Sequence, residues 1–122
     1  MEKWIARACV AAIIAVSSVA RASAGTDDAD TAAGIEDFEN EDFVTALAAF
    51  RRADEAAPSA TGQYQIALTC ERLHRATDAH VAFERYLQRA GTPRTVAERQ
   101  FQDDIRARVY ALRVSTRCAR LA

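Results

Sequence analysis

After residue 30, apolar positions recur every three or four residues, the spacing of one face of a helix. Ile35 and Phe38 place a first helix over Thr31 to Asn40. Asp42 is a good N-cap for a second, from Phe43 to Ala57, with Phe43, Leu47, Phe50 and Asp54 on successive turns. Pro58 stops it. Ser59 caps a third helix to Leu73, carrying Tyr64, Ala67, Leu68 and Cys70. Thr77 caps a fourth, with Ala79, Phe83, Tyr86 and Leu87, and Gly91 supplies a left-handed exit. Thr92-Pro93 then reads as a cap followed by a first-turn proline. The last helix runs from Pro93 to about Ser115, with Phe101, Ile105, Val109 and Leu112 on one face, and leaves 116–122 as a tail. The pattern predicts an all-α fold of five helices.

Two phrases in this pattern are the same phrase. AFRRADEAAP at 49–58 returns as AFERYLQRAG at 82–91. At that offset Gly34 falls on Ala67, Ala46 on Ala79, Ala49 on Ala82, Phe50 on Phe83, and Pro58 on Gly91. Small residues meet small ones because only Gly or Ala fits where two helices cross closely. The phenylalanine fills the space that the small residues open. Units of about 27–58 and 59–91 follow, each an antiparallel helix pair, with the last helix closing the stack. Two units are few for an array of this kind, which normally needs about three to bury enough apolar surface. A dimer or a larger assembly would supply what is missing.

These residues resemble the tetratricopeptide repeat family, built from helix pairs repeating at about 34 residues. Gly34, Ala46, Phe50, Ala53 and Pro58 carry the likeness in the first unit, and the stretch from Tyr64 to Leu87 carries it in the second. The sequence departs from the family at Asp37 and Cys70, where an aromatic is usual, and at Glu41 and His74, in turns that usually favour glycine. The resemblance implies a concave groove lined by the first helix of each unit. Its positions here are Asp28, Thr31, Ile35, Phe38 and Glu39, then Thr61, Tyr64, Leu68, Glu71 and Arg72. Such a strip, partly apolar with a polar rim, suits an extended peptide or a partner helix.

The first twenty-four residues read differently. MEKWIAR is a short basic start, ACVAAIIAVSSVA an uncharged run, and RASAG carries an A-x-A site at Ala22 and Ala24. This is the pattern of a secretory signal peptide, cleaved between Ala24 and Gly25. The run is shorter than the ~20 residues a membrane-spanning helix needs. From Gly25 to Pro58 ten acids face two arginines, and from Ser59 onward six acids face eleven. An acidic head and a basic tail can steer a charged partner or drive self-association. The chain as a whole carries a formal charge of −1, which gives no case for nucleic acid as a partner.

Catalytic chemistry finds no footing. There is no glycine-rich phosphate loop, no CxxC or CxxCH, and no HExxH. Cys70 and His74 have a spacing compatible with two metal ligands, with Glu71 and His80 as further candidates, but Cys70 occupies a packing position and His74 a turn. Removal of Cys9 with the signal leaves Cys70 and Cys118, which would close a loop of about fifty residues if joined. The sequence therefore points to an exported, non-enzymatic adaptor without cofactor or metal, periplasmic or secreted. It would bind a protein or peptide and have no membrane contact after signal cleavage. The alternative is a structural component of the cell envelope, anchored through an uncleaved signal segment or self-associating, with a homodimer as one form.

Overall fold

The computed structural model describes residues 26–121; the predicted signal segment and cleavage site lie outside them. The described residues form five helices and no strand: α1 (Thr26–Glu39), α2 (Phe43–Ala56), α3 (Ala60–Arg72), α4 (Ala76–Ala90) and α5 (Val96–Leu121). The all-α expectation holds.

Two predicted caps form. Asp42 accepts from the Thr45 amide at 3.4 Å and from its hydroxyl at 2.9 Å, and Ser59 Oγ accepts from the Gly62 amide at 2.9 Å. Three helix starts differ from expectation. The first helix begins at Thr26, ahead of Thr31, through a TDDAD stretch whose acids suit the positive end of a helix. Thr77 does not cap α4, which starts at Ala76 with Arg75 in the cap position and no side-chain cap bond. The cause lies just upstream: His74 has φ 57°, and the Arg75 amide donates to the Cys70 carbonyl at 2.9 Å, so one turn closes α3 and launches α4. Glu41, at the equivalent place after α1, has φ 62°, and the Asp42 amide donates to Asp37 in the same way.

The third difference is at α5. It starts at Val96, not Pro93, because Thr95 and Glu98 form a reciprocal capping box. The Glu98 amide donates to Thr95 Oγ1 at 3.1 Å, and Glu98 Oε2 accepts from the amides of Arg94 at 2.6 Å and Thr95 at 3.2 Å. The helix also runs on to Leu121, through the segment read as a tail. Gly91 has positive φ as expected, but its pair of 67° and −152° lies in a region essentially reserved for glycine.

The core is assembled where the sequence placed its small residues. Ala46, Leu47 and Phe50 of α2 meet Ala67 and Cys70 of α3, Ala79, Ala82 and Phe83 of α4, and Ile105 and Val109 of α5. Gly34 shows why the repeat needs a small residue there. A Cβ on it would stand 2.6 Å from the Phe50 ring, closer than atoms can approach. Each helix packs chiefly on its neighbours in sequence. Across units the first helices run parallel: Phe38 of α1 lies beneath Arg72 of α3, while Tyr64 and Glu71 of α3 meet Phe101 and Arg108 of α5. So α5 is more than a lid. It takes the place that the first helix of a third unit would have.

Candidate partner-binding site

The parallel row of α1, α3 and α5 decides what the predicted groove becomes. Along α3, Thr61, Tyr64, Leu68 and Glu71 lie on one face, but α5 runs beside it and engages that row. Tyr64 is wedged among aromatic rings, with centroids 6.4 Å from Phe83, 5.9 Å from Tyr86 and 5.2 Å from Phe101. Glu71 pairs with Arg108 at 3.5 Å. Arg72 is exposed, and its guanidinium sits 6.0 Å from the Phe38 ring, a cation–π contact that links α1 to α3. Ile35, Phe38 and Leu68 are half-buried against the core, while Glu39 and Thr61 are exposed and Thr31 is intermediate. Asp28 lies on α1. The row exists, but its middle is tied up by packing.

What stays open is at one end. A cleft of about 880 Å³ lies between the start of α3, the end of α4 and the start of α5, and Thr61, Tyr86, Arg94, Ala97 and Phe101 line it. Its wall is aromatic and its rim carries charge. Burial holds the Tyr86 hydroxyl above its ordinary pKa, with Tyr64 and the Glu98 carboxylate adding to the effect, so it stays a neutral donor. Gln102, buried at the cleft's base, donates to the Gly91 carbonyl at 3.0 Å and fixes the loop that forms one side. Of the ten predicted groove positions only Thr61 lines this cleft, with Tyr64 packed against the rings that do. Phe101, Tyr86 and the loop from Gly91 to Arg94, which line it, were not among the predicted groove positions. The Thr-x-x-Glu spacing at Thr95 was the available signal, since it sets where α5 begins and so where the cleft opens.

A second feature is a carboxylate joint between the units. Asp54, on the core-facing stripe of α2, accepts from the Ser59 amide at 3.2 Å, from Gln63 Nε2 at 2.6 Å and from Arg89 at 2.7 Å. Arg89 also donates to the Ser59 carbonyl at 3.1 Å. Three helices are pinned by one acid. Beside it Gln63, 3% exposed, has its Oε1 without a partner among the described residues, facing a smaller cleft that Arg51 and Arg85 border.

The cysteines are not joined. Cys70 is buried and Cys118 exposed, and both are free thiols. Burial raises the Cys70 pKa above its ordinary value, which makes it a poor nucleophile. His74 is exposed in its turn and Glu71 is paired with Arg108, so neither joins Cys70 in a ligand set. Among the described residues no three His, Cys, Asp or Glu side chains come together as a metal site, and no helix is long and apolar enough to cross a membrane. No family model, curated protein or solved structure matches the chain.

Proposed function

We propose that the chain is an exported, non-enzymatic adaptor of the tetratricopeptide repeat kind, which holds a peptide or a short segment of another protein. The observation that carries this reading is the cleft of about 880 Å³ at the start of α5, with Tyr86 and Phe101 on its wall and Arg94 on its rim. Aromatic and arginine side chains are the types that most often dominate interface energy. The cleft is open to solvent along one side, as an extended ligand requires. The working surface is this cleft together with the exposed edge of the row, Thr61 and Arg72. Tyr64 acts from beneath, by holding Tyr86 and Phe101 in place.

A peptide-display selection against the full chain tests it. Enriched peptides should carry an apolar anchor, and their binding should fall at least about tenfold in Thr61→Arg, which fills the cleft mouth without touching the core. Selected peptides that bind Thr61→Arg as well as the parent would remove the cleft from the function. Export is checked separately, by the intact mass of the protein recovered from cells. A mass beginning at Gly25 supports the adaptor, and a mass that includes Met1 supports an anchored envelope component.

A further inference from the structure

The smaller cleft, of about 360 Å³, is built from three helix faces. Arg51, Asp54 and Glu55 of α2 form one wall, and Asp78, Val81, Ala82 and Arg85 of α4 the other, each at the spacing of one helix face. Gln63, Ile66 and Cys70 of α3, all buried, form its base. It shares no lining residue with the larger cleft. Gln63 gives it its chemistry. The Gln63 Nε2 donates to Asp54 Oδ2 at 2.6 Å. A carboxylate can only accept, so the amino end of the carboxamide is fixed there and Oε1 is turned the other way. That oxygen is buried and has no donor among the described residues, a condition that buried acceptors rarely keep. The charges around it are free as well. Arg51, Arg85, Glu55 and Asp78 are exposed and make no ion pair among the described residues, whereas Asp54 is held by Arg89.

We propose that this cleft binds a small zwitterion of the α-amino acid class. An ammonium supplies the donor that Gln63 Oε1 lacks, and Glu55, which follows Asp54 on the same wall, offsets its charge. The carboxylate goes to Arg51 and Arg85, which come from opposite walls and give it charge-assisted hydrogen bonds. An apolar side chain lies over Ile66, Val81 and Ala82. The volume is at the lower end for ligand sites, which suits a single amino acid. The balance of charge argues for both signs on the ligand. A simple anion would satisfy the arginines but meet Glu55 and Asp78 with nothing to neutralise them. A simple amine would suit Gln63 and Glu55 and leave both guanidinium groups without a partner.

Titration of the isotope-labelled full chain with L-leucine, followed by NMR, tests this. Isopentylamine, isocaproate and inorganic phosphate serve as probes that lack one or the other charge. Leucine should shift the Gln63 side-chain amide, and each of the other probes should bind at least about tenfold more weakly. Arg51→Gln and Arg85→Gln should each weaken leucine by about tenfold. Both should melt like the parent, since neither arginine holds an ion pair. Glu55→Gln should narrow the preference for leucine over isocaproate. Thr61→Arg, which fills the larger cleft, should bind leucine as the parent does, so this site and the peptide cleft can fail separately. Phosphate or isocaproate binding as tightly as leucine would make this a site for anions and overturn the proposal. Leucine binding that survives both arginine substitutions would put the ligand elsewhere and overturn it too. So would the absence of any shift at millimolar leucine, with the cleft then closed by its own charged side chains.

Discussion

The two helix pairs share a plan and differ in their surroundings. In the first, Phe50 packs on Gly34, and among the described residues α1 has a neighbour on one side only, held at its outer edge by the exposed Asp30–Arg52 pair at 3.2 Å. In the second, Phe83 is fully buried, Tyr64 joins it to Tyr86 and Phe101, and Arg108 from α5 lies 5.9 Å from its ring. Among the described residues the second unit is covered on both sides and the first on one. In a linear stack each unit gains stability from the neighbours it touches. The same phrase, AF-x-R, should therefore be worth more at 82–85 than at 49–52.

Truncating the two phenylalanines is the strongest test of that difference. Phe83→Ala should cost about 3–5 kcal/mol, enough to abolish the cooperative melt of so small a domain. Phe50→Ala should cost less and should loosen α1 and α2 ahead of the rest, as seen by amide hydrogen exchange. Equal losses with one shared transition would break the comparison and make the five helices a single cooperative unit.

The joint between the units gives the next effect. Asp54→Ala strands the Ser59 amide and Gln63 and frees Arg89, and should cost about 2–3 kcal/mol. Asp30→Ala, which removes a surface pair, should cost under about 1 kcal/mol. If denaturant melts show the two to be alike, the joint is not what couples the units.

Much of this was legible from residue spacing, and the misses have physical reasons. The small–large pairing of Gly34 with Phe50 was readable because steric exclusion acts between residue types fixed in register. The caps at Asp42 and Ser59 were readable because the donors lie within three residues. Thr77 misled because a threonine before an apolar run is only a cap if the chain upstream is still non-helical, and the left-handed turn at His74 decided that. Pro93 set the predicted start of α5, although the reciprocal Thr95–Glu98 bonds satisfy more orphan amides than a proline can. Asp54 stood on a core stripe, and a carboxylate there demands partners. Its partners come from α3 and α4, nine and thirty-five residues on, which local pattern does not reveal. The surroundings of the groove positions were less legible: the packing of Tyr64 and the pairing of Glu71 depend on where α5 lies, not on α3 itself.

The buried thiol gives a pH signature confined to the better-covered unit. Cys70 has its pKa raised chiefly by burial, with nearby Asp78 adding to this against Arg51 and Arg75. The folded state thus prefers the neutral thiol more than the unfolded chain does. Its contribution is intact below the ordinary thiol value near 9.0 and is lost as pH rises beyond it. Tyr86 adds to the loss in the same direction near 10.0. Melts should therefore fall above pH 9, and Cys118 should react with a thiol reagent well before Cys70. A Cys70 that reacts as fast as Cys118 in the folded chain would show that the second unit opens as readily as the first.

The smallest effect is the most discriminating, because it applies one perturbation at equivalent points. Glu41 and His74 hold left-handed backbone at φ 62° and 57°, each closing the first helix of its unit. A residue with a Cβ pays about 1–2 kcal/mol there, and glycine returns about 0.5–1 kcal/mol of that as lost chain entropy. Glu41→Gly and His74→Gly should each stabilise their own turn by roughly 0.5 kcal/mol. If the second unit governs global unfolding, His74→Gly raises the melting temperature, while Glu41→Gly leaves it unchanged and slows exchange only at the amides of α1 and α2. If the stack unfolds as one, both substitutions raise the melt equally and exchange slows throughout. A rise from Glu41→Gly with none from His74→Gly would reverse the order of the two units.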